Sequence, residues 1–471
     1  MTPETLLLIL VVLAGAYMAW NIGANDVANA MGTSVGSGAL TLKQAVIIAA
    51  ILEFSGAFFF GSHVSETIQK GIVDSAIFTD PIVLVYGMLA ALLAAGVWLQ
   101  IASYYGWPVS TTHSIVGAIV GFGAVVGGIE AIYWENVFFI ASSWIVSPLL
   151  GGLLAFGIFN YLRRKIFYAH DPVLAAKQII PYLVFCLLFI LSLTMLYKGL
   201  SNVDLNLNFF QSMLVSIGCG LLGSIISILC MRRIAPLPPK EKHPEFNPEV
   251  SLQLEKARKH LLIVQSASKG SVQYQASEIL EEIQMLSDSL RKKEDIGRES
   301  EEYAIVEKIF GYLQIVSACL MAFAHGANDV ANAIGPMAAA IDVLTTGVIS
   351  AQATIPTWVL GLGGVGIVIG LATWGWRVIE TIGKKITELT PTRGFSAEFG
   401  AATTILFASR LGMPISTTHT LVGAVIGVGL ARGLEALDMR TTRNIIISWL
   451  VTVPAGAVIT IALFYIIKAI L

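Results

Sequence analysis

The chain has 471 residues, a mean hydropathy of +0.76 and only 13% charged residues, where a soluble domain carries about 25%, so a soluble globular protein is excluded and a membrane protein indicated. Its net charge of −2 and pI near 6.4 leave no basic domain or stripe, which excludes nucleic acid as a partner. Of the 60 Lys, Arg, Asp and Glu residues, 25 fall between Arg232 and Glu302, which separates one soluble segment from lipid-embedded halves.

The first stretch, MTPETLLLILVVLAGAYMAW, carries Glu4 and no Lys or Arg ahead of its apolar run. A secretory signal needs a positive start, so this stretch reads as a retained first membrane helix. A hydrocarbon core about 30 Å thick needs about 20 helical residues. Apolar runs of that order lie near 5–25, 40–62, 82–103, 110–128, 134–162, 174–200 and 209–231. Arg163, Arg164 and Lys165, and again Arg232 and Arg233, place those ends in the cytoplasm by the positive-inside rule. Residues 232–303 follow as a soluble cytoplasmic insertion. Its segments LQLEKARKHLLIVQSA and ASEILEEIQMLSDSL repeat apolar residues at three and four among charged ones, the pattern of solvent-facing helices. Its role reads as a linker between halves, with regulation or dimer contact as alternatives. Runs near 304–324, 335–350, 356–376, 395–412, 416–433 and 444–470 complete the chain. The expected fold is all-α and polytopic, with about 12 transmembrane elements in a first membrane half at 1–231 and a second at 304–471. Cys186, Cys219, Cys230 and Cys319 lie in apolar runs without a CxxC pair and read as packing residues.

The two halves repeat. The octet GANDVANA occurs at Gly23–Ala30 and Gly326–Ala333, and PVSTTHSIVGAIVGFG at Pro108–Gly123 returns as PISTTHTLVGAVIGVG at Pro414–Gly429 with ten of sixteen positions identical. The offsets, 303 and 306 residues, nearly agree, and a weaker echo pairs SETIQKGI from Ser65 with IETIGKKI from Ile379. Duplicated, glycine-interrupted apolar segments point to a secondary transporter with a binding site at the repeat interface. Counting the run at 110–128 as a crossing gives seven spans before the insertion, inverted repeats and an outside N-terminus, the preferred reading; counting it as a re-entrant hairpin gives six spans and parallel repeats.

In GANDVANA the aspartate and second asparagine are three apart, so Asp26 and Asn29, like Asp329 and Asn332, share a helix face. Their oxygens, with carbonyls freed where Gly23 or Gly326 loosens the helix, suit a hard cation such as sodium. A mid-membrane carboxylate costs at least about 2.5 to 3.5 kcal/mol; the alternative reading is an aspartate satisfied by a neighbouring helix. Ser110, Thr111 and Thr112 follow Pro108, and Ser416, Thr417 and Thr418 follow Pro414. Each trio reads as the cap and first turn of a helix, where free N–H groups attract an anion. Neither motif contains Lys or Arg. An anion beside two carboxylates therefore needs intervening cations, which is the physical content of cation-coupled symport.

Glu53 and Glu398 are cavity or coupling carboxylates, or else buried salt-bridge partners. His113 and His419 read as fixing the hairpins through backbone hydrogen bonds in preference to relaying protons. Arg410, whose place in the first half is taken by Tyr104, falls outside any symmetric site. Polar residues gather in two duplicated patches instead of lining a pore with rings, which argues against a channel. No nucleophile–base pair, Walker loop or metal constellation marks an enzyme or calls for an organic cofactor.

The paired GANDVANA and PxSTTH motifs, the stretch NIGANDVANAMGTSVGSGALTLKQA and the C-terminal NIIISWLVTVP resemble the inorganic phosphate transporter (PiT) family over nearly both membrane halves. The resemblance implies inverted repeats, a homodimer in the cell membrane, termini outside, and symport of phosphate with Na⁺ or, in another branch, with H⁺. GTSVGSGALTLKQA is closer to the sodium-coupled branch, and the family also contains sulfate permeases. Carried over by residue, the resemblance assigns phosphate to Ser110, Thr111, Thr112, Ser416, Thr417 and Thr418. It assigns sodium to Asn25, Asp26, Asn29, Asn328, Asp329 and Asn332, with Glu53 and Glu398 as further functional carboxylates. A proton-coupled phosphate or sulfate permease and an anion channel or sensor stay open as alternatives.

Overall fold

The computed structural model describes residues 3–62, 64–65, 68, 71–74, 80–196, 207–232, 248–298, 301–349 and 355–471. Contact density divides them into two units, one of residues 1–160, 183–223 and 310–471 and one of residues 161–182 and 224–309.

The first unit contains α1 (Pro3–Gly36), α2 (Leu42–Phe60), α3 (Pro81–Tyr104), α4 (Thr111–Gly127) and most of α5 (Trp134–Leu162). Helices α6 (Pro172–Leu196) and α7 (Phe209–Arg232) begin and end across the unit boundary. In the second unit, α8 (Pro248–Ala267) and α9 (Ser271–Arg298) pair as a hairpin turning at Gly270, whose φ of 71° is open to glycine at no steric cost. Thereafter come α10 (Glu301–Asp329), α11 (Ala331–Thr346), α12 (Thr357–Thr373), α13 (Trp376–Glu380), α14 (Pro391–Arg410), α15 (Thr417–Arg432) and α16 (Met439–Ile470).

Among the described residues, eight helices are long and apolar enough to cross a membrane, or nine with the bent pair α12–α13. The expected dozen included α4, only 17 residues long, and the helices of the second hairpin, which do not meet that test. The runs near 304–324 and 335–350 form one stretch of 45 residues, Glu302–Thr346. Hydropathy drops at Asn328, Asp329 and Asn332, yet the helix continues with a break only at Val330. Half of the first copy of the SETIQKGI echo, the end of the 174–200 run and the segment 233–247 lie outside the described residues.

Glycine packing sets the register of the first unit. Gly23 and Gly326 do not loosen their helices, contrary to expectation: α1 and α10 are continuous through both. A Cβ on Gly23 would lie 1.9 Å from the carbonyl oxygen of Ile367 in α12, and one on Gly326 would lie 2.2 Å from that of Glu53 in α2. Close backbone approach is therefore the reason for glycine at both places, as in other membrane helix pairs. α1 runs antiparallel to α10–α11, since Gly15 abuts Met337 while Thr33 and Gln314 reach the same side chain, Glu398.

Helices α3 and α4 make a helical hairpin. α3 follows the direction of α1, with Gly96 against Tyr17 and Ser103 against Asn25, and α4 turns back so that Phe122 packs on Gly87. α14 and α15 repeat the arrangement beside α10, where Asn328 meets Ser409. Each returning helix packs on the long helix of the other half: Gly117 and Gly121 of α4 on Val453 and Ala457 of α16, and Gly423 and Gly427 of α15 on Pro148 and Gly152 of α5. The two hairpin turns thereby arrive at one place.

Candidate functional site

At each turn the serine ends an extended segment and caps the returning helix. Ser110 Oγ accepts the His113 backbone N–H at 3.2 Å, and Ser416 Oγ accepts that of His419 at 3.1 Å. The threonines that follow occupy the first turn of each helix, where backbone N–H groups have no intrahelical partner. All six hydroxyl residues are buried.

The GANDVANA side chains reach these hydroxyls, crossing between the halves at Asn29, Asp26 and Asn332 and staying within the second half at Asp329. Asn29 donates through Nδ2 to Asp26 Oδ1 at 3.0 Å, as their three-residue spacing requires, and to Thr418 Oγ1 at 2.8 Å. The Thr418 hydroxyl donates to Asp26 Oδ1 at 3.1 Å, and that of Thr417 donates to Asp329 Oδ2 at 2.6 Å. From the other half, Asn332 Nδ2 donates to Thr111 at 3.1 Å and to Thr112 at 3.2 Å. Eight of the expected residues thus form one buried cluster drawn from both repeats.

A histidine joins the carboxylates. His325 Nε2 lies 2.9 Å from Asp329 Oδ2 and 3.8 Å from Asp26 Oδ2, and its Nδ1 lies 3.3 Å from Glu53 Oε1, all with no exposed surface. One ligand atom each from Asp26, His325 and Asp329 lie within 4.8 Å of one another, close enough to share a cation. Asn29 Oδ1 and Asp329 Oδ1 are buried without a hydrogen-bond donor from the protein. Such oxygens are costly to leave alone, and oxygen ligands are what hard cations take.

Other expected residues stand apart. Asn25 donates to Ser103 Oγ at 3.0 Å and to the Trp107 carbonyl at 3.1 Å, and accepts from Val109 N–H at 3.3 Å. Asn328 donates to Ser409 at 2.8 Å. Both tie the approach to a hairpin turn. Glu398 accepts hydrogen bonds from Thr33 (2.5 Å), Ser34 (2.6 Å), Gln314 (3.1 Å) and Ser317 (2.5 Å) in a cluster of its own. The rings of His113 and His419 meet edge to face behind the turns. A cavity of about 450 Å³ opens where α1 ends, beside Gly36, Glu388 and Asp438.

Sequence reasoning passed over His325, although its signal was present: it occupies the position just before the octet, where the first half has Ile22. It also passed over a third repeated motif, Ser-Trp-Ile-Val at Ser143–Val146 and Ser-Trp-Leu-Val at Ser448–Val451, whose tryptophans back the two turns.

Residues 22–460 match the family model described as the phosphate transporter family. The chain is 49% identical over 457 residues to inorganic phosphate transporter 2-1, chloroplastic, of Arabidopsis thaliana, covering 96% of this chain and 70% of that protein. It is 47% identical over 468 residues to a Chlamydia pneumoniae protein described as a candidate phosphate permease, covering 98% and 99%. Among solved structures, one titled the sodium-dependent phosphate transporter superposes with a TM-score of 0.79 at 39% identity, covering 99% of this chain and 100% of that one.

Proposed function

The chain belongs to the phosphate transporter family, and on that premise we propose that it is a secondary transporter that carries inorganic phosphate across the membrane together with sodium ions by alternating access. The observation that carries this reading is the cluster drawn from both halves, in which hydroxyl and amide donors suited to an oxyanion interleave with Asp26 and Asp329. Three carboxylates around one histidine repel a bare anion in a low-dielectric interior. Sodium bound between Asp26, Asn29, Asp329 and Asn332 removes that repulsion, and the hydroxyls of Thr111, Thr112, Thr417 and Thr418, with Ser110 and Ser416, then hold phosphate. In this reading Asn25 and Asn328 position the hairpins, and Glu53 acts on the site through His325.

The repeats are inverted in this account. Antiparallel running of α1 and α10–α11 supports it, and so does the pairing of α3 with α4 as a hairpin, because two hairpin arms cancel and leave an odd number of crossings before the insertion. That parity puts the N-terminus outside and, with Arg163, Arg164 and Lys165, the insertion in the cytoplasm. A homodimer in the cell membrane follows from the family resemblance.

Uptake of labelled phosphate into proteoliposomes under a sodium gradient, a proton gradient or neither tests the proposal. Sodium-driven accumulation is expected. Uptake driven by the proton gradient alone favours the proton-coupled alternative, and equal uptake without any gradient rules out cation coupling.

A further inference from the structure

Four aromatic rings stand in line behind the two Ser-Thr-Thr turns. His113 and His419 are the third residues of α4 and α15, and their buried rings meet edge to face with centroids 4.2 Å apart. Trp144 of α5 covers the ring of His113 at 3.7 Å, and Trp449 of α16 covers that of His419 at 3.6 Å. Flat rings at these separations are in van der Waals contact and fix each other's orientation.

Hydrogen bonds from the same region cross between the repeats. Trp144 Nε1 donates to the carbonyl of Pro414 at 3.4 Å, and Trp449 Nε1 donates to that of Pro108 at 3.4 Å. The Thr112 hydroxyl donates to the carbonyl of Ile415 at 3.1 Å, and the Thr418 hydroxyl shares its one hydrogen between Asp26 Oδ1 and the carbonyl of Val109, 3.2 Å away. Two donors from each repeat therefore end on the turn of the opposite hairpin. The turns are about 300 residues apart in the chain, so these contacts, with the glycine packing of α4 on α16 and α15 on α5, are what hold them together.

We infer that Trp144, His113, His419 and Trp449 are positioning residues that clasp the two turns into one rigid cradle, which keeps its shape while access changes around it. The inference rests on the transport reading above and adds to it which parts stay together. A tetrahedral oxyanion held by hydroxyls from two distant segments needs those segments in fixed mutual orientation, because hydrogen bonds weaken steeply with angle. A clasp of stacked rings and crossed bonds meets that need without placing charge beside the anion.

Two arms test it in the full chain reconstituted in liposomes. Trp144→Phe and Trp449→Phe keep a ring and remove the crossing N–H. Each is expected to raise the KM for phosphate about 2- to 10-fold, the effect of one lost hydrogen bond, with Vmax held within about twofold. A merely structural role would lower the yield of folded protein and Vmax at constant KM; unchanged KM in the double variant would overturn the clasp. In the second arm, Val109→Cys with Ile415→Cys, turn residues that belong neither to the ring stack nor to the hydroxyl site, in a background lacking Cys186, Cys219, Cys230 and Cys319, is joined by a short thiol cross-linker. The linking rate is expected to be the same in buffer, in sodium, and in sodium with phosphate, and the linked protein to turn over as fast as the unlinked. A linking rate that changes severalfold with ligand, or linkage that preserves phosphate binding but stops turnover, would show that the turns separate. Wild-type liposomes that take up no phosphate would instead defeat the transport reading, and the ligand-dependence of linking would still judge the clasp.

Discussion

Glu53 and Ile367 occupy the same place in the two halves of the molecule. The carbonyl of each lies against the first glycine of one GANDVANA octet, Glu53 against Gly326 and Ile367 against Gly23. The residues preceding those glycines are His325 and Ile22. Beside one octet stand Ile22 and Ile367, one from each half, and beside the other stand Glu53 and His325, an ionisable pair 3.3 Å apart, so the duplicated site is asymmetric at its centre.

That asymmetry predicts a specific pattern of stability. Removing one partner of a buried pair leaves the other uncompensated and costs about 3 to 5 kcal/mol, whereas replacing both with apolar residues is often neutral. Glu53→Ile and His325→Ile should each lower the thermal midpoint in detergent, and the double variant, which reproduces the Ile22 and Ile367 pair found beside the other octet, should recover much of the loss. A double variant less stable than the sum of the singles would mean that the two residues do not act as a pair.

Glycine substitutions separate close packing from flexibility. Gly23→Ala and Gly326→Ala place a methyl group within 1.9 and 2.2 Å of a facing carbonyl oxygen, so both should sharply reduce the yield of monodisperse protein. Gly157 and Gly311 have nothing within 4 Å of a built Cβ. Alanine there should be tolerated and stabilise the helix by about 0.5 to 1 kcal/mol. Equal behaviour of the two sets would refute the packing explanation.

The caps carry a third prediction. Ser110 and Ser416 use an oxygen lone pair on His113 and His419, which leaves each hydroxyl hydrogen for a ligand. Ser110→Ala with Ser416→Ala should weaken phosphate binding more than either change alone, by about 0.5 to 1.5 kcal/mol per hydroxyl and more toward a charged acceptor. Calorimetry read beside the thermal midpoint distinguishes lost binding from a lost cap; unchanged affinity in the double variant would remove the serines from the site.

Glu398 is expected to behave as a fold residue satisfied by four donors. Glu398→Gln turns one acceptor into a donor facing hydroxyls and should cost about 1 to 3 kcal/mol, seen as a lower thermal midpoint. A normal midpoint with loss of sodium-driven uptake would return Glu398 to the coupling carboxylates.

Much of this was legible in the sequence because a repeated octet and a repeated Ser-Thr-Thr turn name the same residues twice. The three-residue spacing of Asp26 and Asn29 put them on one helix face, where they hydrogen-bond, and Pro108 and Pro414 marked the capped turns. What did not follow was direction. Asn25 and Asn328 sit one residue before the aspartates, and one position is a 100° rotation on a helix, enough to send them to Ser103 and Ser409 of the hairpins and away from the cluster. His325 was hidden for the opposite reason: it lies just outside the repeat, where identity ends. Spacing also could not tell that Gly23 and Gly326 serve contacts with α12 and α2, since a glycine that loosens a helix and one that admits a neighbour look alike in a sequence.

If sodium held by Asp26 and Asp329 is what makes the site able to bind phosphate, phosphate affinity must depend on sodium. Coupling between two ligands is reciprocal and typically 1 to 3 kcal/mol, so wild-type affinity should rise about 5- to 150-fold with sodium, and sodium affinity by the same factor with phosphate. Asp26→Asn and Asp329→Asn keep the shape and one oxygen but remove the charge, and each should flatten that dependence while the protein stays folded. Full sodium dependence retained in both variants would contradict the account and place the cation elsewhere.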